Sequence, residues 1–138
     1  MSEDFEGRVA LVTGASRGLG RAMALRLASS GHSVGVNFST SADAAEEVVS
    51  EIRARGGTAL AVGADVADED QVAEMFARVQ ADLGPVAILV NNAGMTRDNL
   101  LLRMSTQDFD RVIATNLRSA FLCTKSALRS MLKAKWGR

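Results

Sequence analysis

The stretch of sequence that decides the fold is Thr13-Gly14-Ala15-Ser16-Arg17-Gly18-Leu19-Gly20. It joins a β-branched apolar run, residues 8–13, to residues 18–30, in which apolar side chains recur at helical spacing. Of its three glycines, the first can take a positive φ, the second lets the backbone approach a pyrophosphate, and the third lets the helix pack closely on the sheet. A glycine-rich turn without a ligand is the alternative, but a strand before the turn and a helix after it argue for phosphate binding.

The rest of the chain repeats this order of strand and helix. We predict strands at residues 33–38, 58–65 and 86–90, and helices at residues 41–55, 68–83 and, for the most part, 104–131. Gly31 is expected to end the first helix and Ser41 to cap the second. The strands are nearly continuous apolar runs, as in a parallel sheet that helices cover on both faces. The sequence therefore predicts an α/β fold, a doubly wound parallel sheet of the Rossmann type with about four strands, in a single domain over residues 1–138.

Composition narrows the class of protein. Sixteen basic residues balance sixteen acidic ones, so no net charge favours a nucleic acid or an anionic membrane as partner. The start of the chain, Met1-Ser2-Glu3-Asp4, lacks the basic residues of a signal peptide, and no apolar run approaches the roughly 18 residues of a membrane span. A single cysteine, Cys123, excludes an internal disulfide and a multi-cysteine metal site. We predict a cytoplasmic, enzyme-like domain without a metal.

Three motifs carry a resemblance to a known family. The glycine turn is spaced Gly-x-x-x-Gly-x-Gly after a threonine, Asp65-Val66 follows the third strand, and Asn91-Asn92-Ala93-Gly94 ends the fourth. In this order and at these places the motifs resemble the short-chain dehydrogenase/reductase family over essentially all 138 residues. In open α/β sheets, ligands bind at the carboxyl ends of the strands, where these motifs are predicted to lie.

The resemblance and the strand ends together imply a set of residues that bind a nicotinamide cofactor. They are Thr13, Gly14, Ser16, Arg17, Gly18, Leu19, Gly20, Asn37, Ser39, Asp65, Val66, Asn91, Ala93 and Gly94. Two of them have a structural alternative. Asp65 could equally cap the start of the third helix, and Asn91 could be a turn residue that holds two strand ends together.

The end of the second strand favours NADP(H) over NAD(H). A site that prefers NAD(H) usually has an acidic residue there, which binds the 2′-hydroxyl of the ribose. Here the sequence is Asn37-Phe38-Ser39-Thr40, with no carboxylate before Asp43, and Arg17 in the glycine turn is placed to meet a 2′-phosphate. The alternative for Arg17 is a solvated charge in a loop.

Residues 95–104 resemble the same stretch in bacterial 3-oxoacyl-acyl-carrier-protein reductases, as do Thr115-Asn116-Leu117 and residues 131–138. The resemblance implies NADPH-dependent reduction of a 3-oxoacyl thioester, carried by acyl carrier protein, in fatty-acid synthesis. It also implies that basic residues at the end of the long helix help to dock the acidic carrier protein. Lys133 and Lys135 could instead complement the carboxyl end of that helix. Reductases of other keto substrates share much of the pattern, so another keto substrate stays open.

The family's chemistry needs residues that this sequence only partly contains. Asn116 matches the family's catalytic asparagine, and the resemblance implies that its backbone carbonyl holds a water of the proton relay. The family's serine and its Tyr-x-x-x-Lys pair would follow residue 138, and the 138 residues contain no tyrosine. We expect an amino-terminal part of a reductase that is inactive alone. The alternative is a non-catalytic module that binds NADP(H).

Some structural consequences are also expected. The fourth strand would form an exposed apolar edge, and the chain alone would be poorly stable. The resemblance implies a homo-oligomer formed through the helical region 105–135. His32 is expected at the surface, away from the site, and Cys123 in a core or an interface.

Overall fold

Four parallel strands form one sheet in the order β3-β2-β1-β4 in a computed structural model that describes residues 7–138. The strands are β1 Val9–Val12, β2 Ser33–Phe38, β3 Ala59–Gly63 and β4 Val86–Val90. The helices are α1 Gly18–Ser29, α2 Ala42–Ala54, α3 Glu69–Asp82, α4 Thr106–Ile113 and α5 Ser119–Ala134. A short 3₁₀ turn, Leu101–Arg103, precedes α4, and a π-helical turn, Ala114–Arg118, joins α4 to α5.

Helices cover both faces of the sheet, so apolar strand residues are buried on either side. Val9 and Leu11 of β1 pack in one core with side chains of α3 and α5, among them Met75 and Cys123. Val12 packs in a second core with side chains of α1 and α2. The predicted doubly wound α/β sheet of the Rossmann type is thus confirmed, as are its four strands.

The element boundaries lie within two residues of the predicted ones, except that α5 ends at Ala134, three residues after the predicted end; glycine and polar turn residues mark most boundaries in the sequence. Gly31 follows the end of α1 with a φ of +90°, as the C-cap prediction requires. Ser41 occupies the position before α2, but its side chain makes no capping hydrogen bond there, so the prediction that Ser41 caps α2 is wrong in its chemistry. The acidic start of the chain, residues 1–4, lies outside the described residues.

The outer edge of β4 is not fully open. After α5 the backbone turns at Lys135, whose φ is +54°, and it returns to the sheet. The Arg138 amide then donates to the Ala87 carbonyl oxygen at 3.0 Å, and the Leu89 amide donates to the Arg138 carbonyl oxygen at 2.9 Å. Trp136 anchors this return, because the guanidinium carbon of Arg8 lies 4.2 Å from the centre of its ring. The prediction of an exposed edge is therefore wrong for the middle of β4, between Ala87 and Leu89.

Two further predictions concern single polar side chains. His32 is buried, with only 2% of its surface exposed, so the prediction of a surface position is wrong. The turn that carries it packs against the start of β1, where the Ser33 amide donates to the Arg8 carbonyl oxygen at 3.0 Å. Cys123 is buried in the core, as predicted, and burial raises the pKa of its thiol to about 11. The thiol is therefore protonated at neutral pH.

No helix within residues 7–138 is long and apolar enough to cross a lipid bilayer. In the same part of the chain, no group of three or more His, Cys, Asp or Glu side chains is placed to hold a metal ion.

Candidate functional site

A cleft of about 540 Å³ lies at the carboxyl ends of the four strands. The glycine turn after β1 forms one wall, the ends of β2 and β3 form another, and the segment after β4 closes it together with α4 and the π-helical turn. Nine predicted residues line the cleft: Gly14, Ser16, Arg17, Asn37, Ser39, Asp65, Val66, Ala93 and Gly94. Five predicted residues are not among those that line it: Thr13, Gly18, Leu19, Gly20 and Asn91.

Thr13 ties the end of β1 to the end of β4. Its side chain is buried, and its hydroxyl donates to the Val90 carbonyl oxygen at 3.3 Å. The same oxygen accepts from the Asn92 amide at 3.0 Å and from the Ala93 amide at 2.9 Å. Thr13 therefore lies beneath the floor of the cleft and determines its shape. Its hydroxyl forms hydrogen bonds with the protein backbone.

Asn92 completes this tie from the side of β4. Its side-chain amide donates to the carbonyl oxygens of Thr13 and Gly14, both at 3.0 Å. The role of holding two strand ends together, which the sequence assigned as an alternative to Asn91, thus belongs to Asn92. The Asn91 side chain donates to the Thr124 hydroxyl of α5 at 3.1 Å. Neighbouring residues of an extended chain point to opposite sides, so only one of the two asparagines can reach the glycine turn.

Asn37 anchors the glycine turn to the second strand. Its side-chain oxygen accepts from the Gly14 amide at 3.0 Å. Its side-chain nitrogen lies 3.3 Å from the carbonyl oxygens of Val62 and Ala64, at the end of β3. Only 2% of the surface of Asn37 is exposed, so its side chain holds the ends of β1, β2 and β3 together. Ser39, two residues further along, is exposed and lines the cleft.

Gly18 and Gly20, the later glycines of the turn, are favoured at their positions for different steric reasons. A Cβ on Gly20 would overlap the Gly14 carbonyl oxygen and lie 2.5 Å from the side-chain nitrogen of Asn92, so α1 begins in direct contact with the turn. Gly18 has a φ of +59°, and a Cβ there would meet nothing within 4 Å. The space above Gly18 is therefore open to a ligand, and a residue with a side chain would be strained at this φ.

The amino-terminal end of α1 is suited to an anion. No side chain caps it, and its first turn contains no carboxylate, so the first backbone amides are free of competing acceptors from this helix. Together with the positive end of the helix dipole, such amides favour a phosphate or another anion. The residue next to them, Leu19, is 78% exposed and packs little against the rest of the described chain.

Charges in the cleft are mainly basic. Arg17 and Arg111 line it, both are exposed, and neither forms an ion pair with any residue between 7 and 138. Among the described residues, Asp65 is the only carboxylate that lines the cleft. Its side chain accepts a hydrogen bond from the Ala67 amide at 3.0 Å. The alternative that Asp65 caps α3 is wrong, because Asp68 caps it by accepting from the Gln71 amide at 3.0 Å.

Asn116 lies in the π-helical turn between α4 and α5. Its side-chain oxygen accepts from the Met95 amide at 2.7 Å, and its side-chain nitrogen donates to the Met95 carbonyl oxygen at 2.9 Å. A Cβ on the neighbouring Gly94 would lie 3.2 Å from the same side-chain oxygen, so this position favours a glycine. The Ser119 amide reaches back five residues to Ala114, the bonding of a π-turn, and such turns are frequent at functional sites.

Sequence reasoning missed several residues of this region, among them Asn92, Arg111 and Thr115. Asn92 lies in the motif Asn91-Asn92-Ala93-Gly94, and its place directly after β4, next to Asn91, is the signal that could have identified it. Arg111 and Thr115 line the cleft from the helical segment and belong to none of the three motifs. Only the packing of that segment over the strand ends places them there.

Comparisons with known proteins agree with this geometry. A family model described as short chain dehydrogenase matches residues 8–138. The chain is 51% identical over 128 residues to a 3-oxoacyl-acyl-carrier-protein reductase of Staphylococcus aureus strain Mu50, covering 93% of the chain and 52% of the relative. It is 52% identical over 131 residues to the reductase of the same name from Synechocystis, covering 95% of the chain and 53% of the relative.

A solved structure is also similar. The short chain dehydrogenase of Burkholderia cenocepacia in complex with NADP superimposes with a TM-score of 0.87 at 40% identity, over 91% of this chain and 51% of that one. The chain thus spans about half the length of the curated relatives it matches.

Thr13→Val tests the tie between β1 and β4. The substitution preserves the shape of the side chain but leaves the Ala93 amide without its acceptor, whereas the Asn92 amide keeps the Val90 carbonyl oxygen at 3.0 Å. We expect the free energy of unfolding to fall by about 1–3 kcal/mol, measured by urea denaturation, because one unpaired amide in a partly buried position costs about that much. Thr58→Val is the matched control, since Thr58 is exposed and should change stability by less than about 0.5 kcal/mol. Equal effects of the two substitutions would contradict the role of the Thr13 hydroxyl.

Proposed function

Because this chain belongs to the short-chain dehydrogenase family, we propose that it forms the cofactor-binding part of an NADPH-dependent 3-oxoacyl-acyl-carrier-protein reductase. The observation that carries the proposal is the 51% identity with the reductase of Staphylococcus aureus, which extends over 93% of the chain. The cleft at the strand ends supports the proposal, because nine of the predicted cofactor-binding residues line it. The reaction would reduce a 3-oxoacyl thioester to the 3-hydroxyacyl form.

The pyrophosphate of the cofactor would lie at the start of α1. The free amides at the start of α1 and the open space above Gly18 suit the pyrophosphate, which a side chain at residue 18 would obstruct. Asp65 and Val66 line the part of the cleft beyond β3, where the resemblance puts the adenine ring.

The choice of NADP(H) over NAD(H) rests on the charge next to the end of β2. The exposed Ser39 and Thr40 line the cleft there and offer hydroxyls, whereas a carboxylate would bind a ribose 2′-hydroxyl and repel a phosphate. Arg17 lines the same cleft and has no carboxylate partner among residues 7–138. A guanidinium in this setting favours the cofactor with the additional phosphate.

The cofactor, when bound, supplies the hydride, and the residues of this chain would position the reactants. Asn116 holds Met95 through both of its side-chain atoms, which keeps the segment after β4 against the helices. The π-turn at residues 114–118 breaks the regular helical bonding around Asn116, whose backbone carbonyl, as the resemblance implies, would hold a water of the proton relay. The serine, tyrosine and lysine of the family's chemistry have no counterpart among the site residues described above.

Surfaces outside the cleft have proposed roles as well. Lys133 and Lys135, at the end of α5, would help to dock the acidic carrier protein, and both are exposed. A homo-oligomer would form through residues 105–135, since α4, the π-turn and α5 expose an apolar surface that includes Phe109, Leu117 and Phe121. Exposed apolar patches of this kind are typical of protein interfaces.

The activity is tested with the protein translated from the complete coding sequence. We expect it to oxidise NADPH in the presence of acetoacetyl-acyl-carrier-protein. The reaction is measured as the loss of absorbance at about 340 nm, where the reduced nicotinamide absorbs. NADH should support a rate lower by about tenfold or more. No turnover with tight NADPH binding would favour a non-catalytic module, and turnover only with an unrelated ketone would favour another keto substrate.

The role of Arg17 is tested by cofactor affinity. Arg17→Ala should weaken NADP⁺ binding by about 10–100-fold, since a charge-assisted bond contributes about 1.5–3 kcal/mol, and should leave NAD⁺ binding within about twofold. Fluorescence titration measures both. Arg26→Ala, which removes an exposed arginine at the other end of α1, is the control and should change neither affinity. An equal loss for both cofactors would argue against recognition of the 2′-phosphate.

The oligomer is tested at Phe121, which is 62% exposed on α5. Phe121→Glu buries a charge if this surface is an interface, so sedimentation velocity of the complete protein should show a smaller assembly. Leu102→Glu is the control, because Leu102 is fully exposed and lies outside residues 105–135. The proposal fails if the sedimentation coefficients of both variants equal that of the unchanged protein.

A further inference from the structure

The helical segment that closes the cleft turns one side toward the end of β3. Arg111 of α4 and Thr115 of the π-helical turn line the cleft. Arg118, at the end of that turn, donates to the Ala67 carbonyl oxygen at 3.2 Å. Residues four and seven apart lie on about the same side of a helix. The side that carries Arg111 therefore faces residues 65–67, the segment that follows β3.

Arg111 is the cation of this side that lines the cleft. It is exposed, and it forms no ion pair with a carboxylate of residues 7–138. Asp65 lines the same cleft, but its side chain accepts a hydrogen bond from the Ala67 amide at 3.0 Å. The guanidinium of Arg111 is therefore available to a ligand in the cleft.

The order of the strands indicates which part of a dinucleotide would lie beside Arg111. The strands follow one another in the sheet as β3-β2-β1-β4. The pyrophosphate is expected at the start of α1, directly after β1, and the 2′-phosphate beside Arg17 and Ser39, next to the end of β2. The adenine base is bonded to the same ribose, at the end opposite the pyrophosphate. Continuing in this direction brings the base to the end of β3, where residues 65–67 and Arg111 bound the cleft.

We propose that Arg111 covers the adenine ring of the cofactor with the plane of its guanidinium and so contributes equally to the affinity for NADP(H) and NAD(H). The inference rests on the proposed binding of a nicotinamide cofactor in the cleft. A guanidinium is planar and delocalised, and it stacks on aromatic faces and on the bases of nucleotides. Val66, which is only 6% exposed, lines the same part of the cleft and adds an apolar contact for the ring.

A contact between Arg111 and a phosphate matches the surroundings less well. Small side chains, Ala67 and Ala114, line the cleft near Arg111, and the Ala67 amide already donates to Asp65. The free backbone amides that suit a phosphate lie at the start of α1, beside Arg17. A flat aromatic ring uses both the small side chains and the guanidinium plane, whereas a phosphate would use only the charge.

The test measures cofactor affinity in the protein translated from the complete coding sequence. Arg111→Ala should raise the dissociation constants of NADP⁺ and NAD⁺ by about fivefold or more, because both cofactors contain the adenine ring. The two factors should agree within about twofold, in contrast to Arg17→Ala, for which only NADP⁺ binding is expected to weaken. Fluorescence titration measures both affinities.

The matched control is Arg103→Ala. It removes an exposed arginine of the 3₁₀ turn that does not line the cleft, so both affinities should stay within about twofold of those of the unchanged protein. Arg111 is exposed as well, so neither substitution should change the free energy of unfolding in urea by more than about 0.5 kcal/mol.

Arg111→Lys separates stacking from charge. Lysine keeps the positive charge but has no planar group, so both dissociation constants should stay at least about threefold above those of the unchanged protein. Full recovery with lysine would overturn the proposal, because it would indicate attraction to a phosphate. A loss confined to NADP⁺ would also overturn it, and so would unchanged binding in Arg111→Ala.

Adenosine 2′,5′-bisphosphate locates the contact within the cofactor, because it contains the adenine but no nicotinamide. Arg111→Ala should weaken its binding by the same factor as that of NADP⁺, and an unchanged affinity would overturn the proposal. If the unchanged protein bound neither NADP⁺ nor NAD⁺, the proposed function would fail together with this inference. If it bound both, and the Arg111 variants bound them equally well, this inference alone would fail.

Discussion

The bond network around the Thr13 hydroxyl is the constraint on which the rest of the site depends. One buried oxygen binds the backbone at three points, Val90, Asn92 and Ala93, and Asn92 returns two bonds to the backbone at the end of β1. Thr13 is buried, so the position of its hydroxyl is fixed by the core, and the bonds that it makes determine where the backbone of Asn92 and Ala93 lies. Because β1 and β4 are joined in this way, the glycine turn and the segment after β4 face each other across a cleft of defined shape.

A single helical segment serves several surfaces at once. The buried side of α5 packs on the sheet through Leu122, Cys123 and Ala127, and an apolar side including Phe121 is exposed. A third side exposes Lys125, Arg129 and Lys133, which follow one another at intervals of four residues. The π-turn before α5 holds Asn116 against Met95 and so links this helix to the cleft. Packing, association and the cofactor site are thus connected through residues 105–135.

The differences between the predicted and the observed molecule have a common physical origin. Strand and helix limits follow from local patterns of apolar side chains and glycines, and these were predicted within three residues. The choice between Asn91 and Asn92, or between Asp65 and Asp68 as the cap of α3, depends on which way each side chain points after a strand ends. The burial of His32 likewise depends on how its turn packs against β1. Such orientations are set by contacts between segments far apart in the sequence.

The sequence by itself determined the alternation of strands and helices, the doubly wound sheet, the family and the place of the glycine turn, because each of these rests on spacing along the chain. Only the tertiary structure decided which side chains face the cleft. Asn37 and Thr13 were expected as cofactor residues, and the fold uses their side chains to brace strand ends. Arg111 carries no motif, yet it lines the cleft because α4 packs over the strand ends.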